Sequence, residues 1–280
     1  MLTSQRRKRI VEMVQADSAV TVAQLLNLFD VSPETIRKDL LFLEKANELT
    51  RVHGGAVVKN SVQPFRDIVR RTDEHRPEKQ KLSELAAELV EENDIIGIDS
   101  GTTAVEFAEV LAKNFHALTI VTYSMDIFGL LHDYKDFNLI LCGGNYLKKE
   151  RTFYGLFAHK ILDDIHLRKA FLCPSAISLK YGVYDHQPQL VELQRRLVEN
   201  SDQVILLADS SKFEKSALYK ICDMDPKHIY VSDPTLSKNV KALYQANQCR
   251  IITEADDLHK KASAKEAEPS SDPSGKEHKP

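Results

Sequence analysis

Apolar residues recur at helical spacing three times within the first 45 residues of the chain. The pattern predicts one helix over residues 4–16, a second beginning at Thr21 and a third beginning at Ser32. Gln24 completes a capping box with Thr21, and Pro33 follows Ser32 at the position where helices favour proline. The apolar positions of the third helix share one face: Ile36, Leu40 and Leu43.

A β-hairpin is predicted directly after the third helix. Asn47 can adopt the left-handed conformation that ends a helix, and two short β-prone runs follow, Leu49 to Val52 and Ala56 to Val58. The turn between them is His53-Gly54-Gly55. Three helices followed by a hairpin predict a winged helix-turn-helix domain over residues 1–58.

From residue 78 onward, short apolar strands alternate with helical patterns. Seven strands are predicted: Ile95–Asp99, Leu118–Thr122, Leu139–Cys142, Ala170–Cys173, Val204–Asp209, Ile229–Ser232 and Arg250–Thr253. Because strands that alternate with helices pair in parallel, the sequence predicts an α/β protein. Its small N-terminal winged helix-turn-helix domain precedes a larger α/β domain with a mainly parallel sheet.

Two segments lack a clear period. Residues 59–77, which include Pro64 and Pro77, are predicted to form a linker or a short connecting helix. Residues 258–280 are of low complexity and are predicted to form a disordered tail. The larger domain is therefore expected to span residues 78–257.

Composition narrows the possible classes of protein. The 280 residues are 42% apolar and 28% charged, which suits a folded chain of two domains. The longest apolar runs fall far short of the ~20 residues of a membrane-spanning helix. Neither the four cysteines nor the ten histidines show the spacing of a disulfide or metal framework. We expect a cytoplasmic protein with no catalytic residues, metal, cofactor or membrane partner.

The N-terminal domain carries candidate DNA contacts. Residues 1–60 have a net charge of +2 within a chain of net charge −3, which hints at a polyanionic partner. The third helix and the wing present short hydroxyls and cations suited to base edges and phosphates: Ser32, Thr35, Arg37, Lys38, Arg51 and His53. The two wing glycines would permit a close approach to the nucleic acid. The same pattern also fits a three-helix domain that contacts other proteins.

A cluster of four basic residues, Arg6 to Arg9, occupies the first turn of the first helix. The helix dipole disfavours cations at this end, because the free N–H groups already carry partial positive charge. The cluster therefore suggests an external anion, although an exposed helix end also tolerates such charges.

Polar residues and glycines follow several predicted strands. They are Asp99, Ser100, Gly101, Thr102 and Thr103 after the first strand, Thr122 and Ser124 after the second, Gly143 and Gly144 after the third, and Lys212 after the fifth. Ligands of open α/β sheets bind beyond the carboxyl ends of the strands, and helix N-termini there favour phosphate. Each turn alone also fits an ordinary helix cap, so the pattern leaves a phosphorylated ligand and simple capping both open.

The N-terminal residues resemble a known family. The segments Val31-Ser32-Pro33-Glu34-Thr35-Ile36-Arg37-Lys38-Asp39-Leu40 and Arg51-Val52-His53-Gly54-Gly55-Ala56 are similar to the signature of the DeoR family of bacterial transcription regulators. The resemblance covers residues 4–58, with Asn47 where the family usually has glycine. It implies binding to a double-stranded DNA operator.

Residues 78–254 also resemble the effector domain of the DeoR family, which is similar to the phosphosugar-binding fold of ribose-5-phosphate isomerase. Matching stretches include Asp99 to Thr103, Val121 to Ser124, and Leu206 to Phe213. The resemblance implies a sugar phosphate effector. The chain departs from the family at Tyr123, at Lys169 and over Cys173-Pro174-Ser175-Ala176-Ile177.

The sequence thus predicts a DNA-binding transcription regulator. The resemblance favours a repressor of a carbohydrate-metabolism operon that a sugar phosphate relieves, working as a homo-oligomer, either dimer or tetramer. One alternative is a phosphosugar isomerase-like enzyme with a DNA-binding extension, for which Asp99 and Asp209 are the candidate bases. Another is a DNA-binding architectural protein without a ligand.

Overall fold

The computed structural model describes residues 1–59, 61–62 and 65–259. Most of the predicted tail, residues 260–280, and three positions of the predicted linker, 60, 63 and 64, lie outside the described residues. At the end of the described chain Leu258 packs against the core, and its carbonyl accepts a hydrogen bond of 2.8 Å from Arg250.

The N-terminal domain has three helices and a small sheet. In chain order these are α1 Thr3–Asp17, β1 Ala19–Thr21, α2 Val22–Phe29, α3 Pro33–Lys45, β2 Leu49–Val52 and β3 Gly55–Val58. The predicted hairpin is the antiparallel pair β2 and β3, and β1 adds a third strand beside β3 that the sequence did not predict. The winged helix-turn-helix fold is confirmed.

The predicted helix ends of this domain are confirmed by their hydrogen bonds. Thr21 and Gln24 form the reciprocal capping box, and the Ser32 hydroxyl accepts from the Thr35 backbone N–H. Asn47 has a φ of 64°, in the left-handed region that ends helices.

The arginines at the start of α1 have an internal anion as partner. Asp39 of α3 is buried, and it accepts from Arg6 at 2.6 Å and from Arg7 at 2.8 Å. The guanidinium of Arg7 also lies 3.7 Å from the ring centroid of Phe42. For these two residues the expectation of an external anion is wrong, because the fold itself supplies the carboxylate. Sequence spacing alone gave no sign of this pairing, which joins residues more than 30 positions apart.

The rest of the chain builds the α/β domain. Its elements are β4 Ser61–Val62, α4 Ile68–Arg71, α5 Arg76–Ala87, β5 Ile95–Ile98, α6 Thr102–Asn114, β6 Thr119–Thr122, α7 Met125–Leu131, β7 Asn138–Leu141, β8 Asn145–Leu147, β9 Thr152–Tyr154, α8 Leu156–Asp163, β10 Leu167–Leu172, β11 Ala176–Ser178, β12 Gly182–Asp185, α9 Pro188–Glu199, β13 Ser201–Leu207, β14 Lys215–Ser216, β15 Tyr219–Cys222, β16 Ile229–Val231, α10 Lys238–Ala246 and β17 Arg250–Ile252. Two short 3₁₀ turns cover Ser210–Lys212 and Ala255–Asp257.

All seven predicted strands form one parallel sheet, with the order β17-β16-β13-β10-β5-β6-β7. Helices α5, α6 and α7 pack on one face of the sheet, and α8, α9 and α10 pack on the other. Each face of the sheet has its own hydrophobic cluster. From β5 the chain builds outward to β7 and then returns to β10 on the opposite side. The boundary between β5 and β10 is therefore the topological switch point, where such sheets bind ligands.

Three small sheets lie outside the main one and were not predicted. They are β11-β12-β15, the hairpin β8-β9 and the pair β4-β14. Their strands have two to four residues each, too short for an alternating pattern to stand out.

Candidate functional site

A cavity of about 210 Å³ opens at the carboxyl ends of β5, β10 and β13, on the switch point of the sheet. Its volume is below the ~300–1,000 Å³ of drug-sized sites, so the cavity could hold only a small molecule. Residues from the segment before α5 close it on one side. The lining residues are Phe65, Arg66, Arg71, Glu74, His75, Lys79, Ser100, Gly101, Thr102, Glu150, Cys173, Ser175, Asp185, His186, Leu190, Gln194, Asp209, Ser211 and Lys212.

The turn between β5 and α6 supplies backbone groups to the cavity. Gly101 precedes the first residue of the 13-residue helix α6 and has a φ of +98°, which L-residues with a side chain rarely adopt. A Cβ at Gly101 would lie 3.7 Å from the guanidinium of Arg71, so this turn faces the cavity cations. Thr102 starts the helix, where free N–H groups and the helix dipole favour an anion.

Cations line the cavity beside this turn. Lys79 is 3% exposed, and its ammonium donates to the carbonyl of Arg71 at 2.6 Å. Burial, and then the positive charge of Lys212, lower the pKa of Lys79 to about 8. Lys212 donates to the carbonyl of Pro174 at 3.1 Å and lies 4.0 Å from the carboxylate of Asp209. Two neighbouring ammonium groups repel each other, and a bound phosphate would relieve that repulsion.

Asp99 lies beneath the cavity as a structural hub. Its carboxylate accepts from Tyr123 and the Ser100 N–H at one oxygen, and from the Cys173 N–H and Gln194 at the other. Burial raises the pKa of Asp99, although the hydrogen bonds from Tyr123, Cys173 and Gln194 favour its charged form. The network ties the turns after β5, β6 and β10 together, which makes Asp99 a structural support of the cavity.

Two further acids lie beside this hub. Asp185 accepts from Gln194 at 3.2 Å and from the His186 N–H at 2.6 Å. Glu150 is buried and pairs with Arg71 through its Oε2 atom. Burial raises the pKa of Glu150 to about 7, and the nearby carboxylates of Asp185 and Asp99 act in the same direction. The cavity therefore has an acidic side as well as a basic one.

The ten effector residues predicted from the sequence are only partly brought together. Ser100, Gly101, Thr102 and Lys212 line the cavity, and Asp99 supports it from below. The other five do not line it: Thr103, Thr122, Ser124, Gly143 and Gly144. Ser124 caps α7, Thr122 accepts from the Ser124 N–H, and Gly144 packs against the backbone of Tyr154. Thr122, Ser124, Gly143 and Gly144 belong to or follow β6 and β7, on the side of β5 away from β10, and Thr103 is buried within α6.

The positions that depart from the family pattern differ in their relation to the cavity. Lys169 lies near the start of β10 and pairs with buried Asp94 at 2.6 Å, so it is remote from the cavity. Cys173 and Ser175 form part of the wall, and the Pro174 carbonyl holds Lys212. Tyr123 is buried and donates to Asp99.

Sequence reasoning missed several cavity residues, among them Arg71, Lys79, Glu150, Asp185 and Gln194. Arg71 ends α4 in the predicted linker, and Lys79 lies on α5. Glu150 and Asp185 follow or belong to the short strands that pattern did not resolve. The one available clue was the concentration of charge in a segment assigned as linker, since Arg66, Arg70 and Arg71 all lie there.

The predicted DNA-contact residues of α3 lie on its free face. Arg37 and Lys38 are exposed, and neither forms an ion pair with any residue that the structure describes. Ser32 is exposed and Thr35 half-buried, and their hydroxyl oxygens lie 2.9 Å apart in the helix cap. The opposite face, with Ile36, Leu40 and Leu43, is buried in the core of the domain.

The wing lies against the α/β domain. The His53 carbonyl accepts from Asn247 at 3.1 Å, while the His53 side chain is exposed. A Cβ on Gly55 would lie 2.1 Å from the backbone oxygen of Val20 in β1 and 2.9 Å from a methyl carbon of Leu243, so glycine permits close packing on β1 and on α10. Arg51 is held by Glu44 of α3, at 3.9 Å between Nη1 and Oε2. The wing glycines thus lie beside α10 and β1, and their approach to nucleic acid stays a prediction.

A chain of contacts joins the cavity to α10. Ser211 borders both the cavity and a second cleft, of about 620 Å³, between the two domains. Two residues beyond Lys212, the buried carboxylate of Glu214 accepts from the Tyr244 hydroxyl of α10 at 2.7 Å and from the Leu179 N–H at 3.1 Å. A shift of the Lys212 turn therefore has a direct physical route to the helix on which the wing packs.

Glu214 gives a pH-dependent prediction. Burial raises the pKa of Glu214 from 4.5 to about 7, so the folded chain holds a proton that the unfolded chain releases. This group therefore lowers the free energy of unfolding as pH rises from about 4.5 to 7. Glu214→Gln should stabilise the protein by up to about 3 kcal/mol at pH 8 and add little near pH 4.5. Urea unfolding at both pH values measures this, with Glu199→Gln, an exposed glutamate, as control. An equal effect of Glu214→Gln at the two pH values would contradict the assignment.

A winged helix-turn-helix domain joined to an α/β domain with a charged cavity is the architecture of a ligand-responsive transcription regulator. Two family models match the chain, the DeoR-like helix-turn-helix domain over residues 6–62 and the DeoR C terminal sensor domain over residues 74–234. The chain belongs to the DeoR family of transcriptional regulators.

Curated relatives agree with this assignment. The HTH-type transcriptional regulator IolR of Bacillus subtilis is 33% identical over 82% of this chain and 91% of its own. A putative aga operon transcriptional repressor of Escherichia coli O157:H7 is 33% identical over 79% of this chain and 82% of its own. The L-fucose operon activator of Haemophilus influenzae is 30% identical over 84% of this chain and 94% of its own. The chain is a regulator, and the enzyme alternative is not supported.

Solved structures show weaker similarity. Ribose 5-phosphate isomerase A from Methanocaldococcus jannaschii is 17% identical, with a TM-score of 0.38 over 50% of this chain and 55% of that chain. The structure of eIF2B beta from Chaetomium thermophilum is 14% identical, with a TM-score of 0.42 over 66% of this chain and 56% of that chain. Neither similarity is close enough to indicate what the cavity binds. In the part of the chain that the structure describes, no helix is both long and apolar enough to cross a bilayer.

Proposed function

We propose that this regulator represses a carbohydrate-metabolism operon and that a sugar phosphate, bound in the cavity, relieves the repression. The observation that carries the proposal is the group formed by Lys79, Lys212 and the N-terminus of α6. Two buried or half-buried ammonium groups and a helix N-terminus converge on one small cavity at the switch point of the sheet. Such a group attracts a phosphate more strongly than any uncharged ligand.

The proposed effector site consists of Ser100, Gly101, Thr102 and Lys212 together with Arg71 and Lys79, supported by Asp99. The proposed operator contacts are those of α3 and the wing: Ser32, Thr35, Arg37, Lys38, Arg51 and His53. The exposure of Arg37 and Lys38, and their lack of ion pairs within the described residues, supports their part in this assignment. Arg51 is a weaker contact, since Glu44 already binds it.

Transmission is proposed to run through the Lys212 turn to α10. Effector binding draws Lys212 toward the phosphate, and Glu214 passes the displacement to Tyr244 and so to the surface that holds the wing. The ligand shifts the equilibrium only by its difference in affinity between the DNA-competent and DNA-incompetent arrangements.

We further propose that the chain acts as a homo-oligomer, a dimer or tetramer. A single small helix domain buries too little DNA surface for specific binding, and paired half-sites supply the rest. Within each chain, residues 1–58 bind DNA and residues 78–257 sense the ligand. Residues 59–77 connect them, and the proximity of Arg71 to Gly101 supports a role for this segment in closing the cavity.

Selection of operators from random-sequence DNA tests the proposal. The purified chain is expected to enrich one sequence that contains two related half-sites. The thermal unfolding of the chain, followed with a panel of sugar monophosphates, is expected to shift upward with at least one of them. Enrichment of no sequence would contradict the DNA assignment, and the absence of any shift would contradict the effector assignment.

A further inference from the structure

Three polar atoms of the cavity are buried and have no hydrogen-bond partner among the described residues. They are Nε of Arg71, Oε1 of Glu150 and Oε1 of Gln194. The residues Gln194 and Glu150 are only 1% and 3% exposed. Buried polar groups are nearly always paired in folded proteins, so these atoms are positions where a bound molecule can complete the bonding. Two are acceptors and one is a donor.

The acceptors lie on the acidic side of the cavity. Gln194 contacts the carboxylates of both Asp99 and Asp185, at 2.9 and 3.2 Å. Among the described residues Glu150 has one cationic partner, Arg71, and that pair leaves one of its oxygens free. A second phosphate on the ligand would meet these carboxylates, and in its dianionic form it carries no hydrogen to donate to either free acceptor.

We propose, on the basis of the proposed function, that Glu150 and Gln194 select a monophosphate whose far end carries at least two hydroxyl groups and no second anion. One hydroxyl donates to Glu150 and accepts from Nε of Arg71, which is possible because a hydroxyl is donor and acceptor together. The other donates to Gln194. The phosphate remains on the side of Lys79 and Lys212.

Calorimetry on the full-length chain tests this selection. The probes are inorganic phosphate, fructose 6-phosphate and glucose 6-phosphate with their 1,6-bisphosphates, and a panel of further aldose, ketose and polyol monophosphates. The tightest monophosphate is expected to bind at least about tenfold more tightly than inorganic phosphate and than any bisphosphate.

Glu150→Gln sharpens the test, since it preserves the shape of the side chain and removes its charge. The variant is expected to narrow the preference for monophosphate over bisphosphate by about tenfold. It removes the repulsion between the Glu150 carboxylate and a second phosphate, and it leaves the Arg71 guanidinium without its ion-pair partner and so able to attract that phosphate. Glu84→Gln is the matched control: this acid is exposed on α5 and does not line the cavity, so the preference should not change. A purely structural role for Glu150 would instead weaken all phosphates alike.

The inference is overturned if bisphosphates bind as tightly as monophosphates, if inorganic phosphate matches the best monophosphate, or if Glu150→Gln leaves the preference unchanged. Failure of the proposed function has a different result. In that case no phosphate compound, inorganic phosphate included, binds to the wild-type chain.

Discussion

Replacing Lys212 by alanine is expected to lower the affinity for the effector by roughly ten- to a hundredfold while operator binding stays intact. Lys212 is half-buried in the 3₁₀ turn after β13, where its ammonium donates to the Pro174 carbonyl beside the cavity. Loss of a charge-assisted partner costs about 1.5–3 kcal/mol, which corresponds to that change in affinity. In a cell, the variant should remain a repressor that responds poorly to its effector.

A second cavity variant and a control variant accompany Lys212→Ala. Thr102→Val removes a hydroxyl at the N-terminus of α6 and should also weaken the effector response, because Thr102 lines the same cavity. Lys81→Ala, on the exposed side of α5, removes an equal charge outside the cavity and should leave both effector affinity and operator release unchanged. The measurement is operator release titrated with the effector. If Lys212→Ala and Thr102→Val both release DNA at the wild-type effector concentration, the phosphate binds elsewhere.

Arg37→Ala is expected to weaken operator binding by about 1–3 kcal/mol if the guanidinium contacts a base, with relaxed specificity at one position. If it contacts a phosphate, binding should weaken equally on all sequences. The slope of log affinity against log salt concentration should then fall in magnitude by about one. Arg51→Ala should have a smaller effect, because Glu44 already binds that side chain. Fluorescence anisotropy of a labelled operator over a range of salt concentrations distinguishes these results.

The control for this experiment is Arg70→Ala, which removes an exposed arginine outside the winged helix-turn-helix domain. It should leave operator affinity unchanged. Unaltered affinity and salt dependence in Arg37→Ala would show that α3 does not enter the groove as proposed.

The fold was largely predictable, since buried parallel strands appear in sequence as short apolar runs and helix starts carry local capping residues. The strand that became β10 and the capping box at Thr21 are examples. By contrast, β8, β9 and β11 have three residues each and no distinctive pattern. They are held by pairing with segments that only the tertiary fold brings near.

The candidate site was predictable only in part, for a related reason. Turn residues such as Gly101 and Lys212 follow strands, so a rule about strand ends finds them. The rule does not say which strands flank the switch point, and it therefore also selected Ser124 and Gly144, which follow β6 and β7. Arg71 and Glu150 meet across 79 positions of sequence, and no local pattern records that contact.

The most direct test of the account is operator release measured together with ligand binding on the same preparation. Calorimetry gives the saturation curve of the tightest monophosphate, and anisotropy gives the fraction of labelled operator that remains bound at each concentration. We predict that the operator dissociates as the cavity fills and that Lys212→Ala shifts both curves to higher concentration together. Operator that stays fully bound when the ligand is saturating would contradict the account.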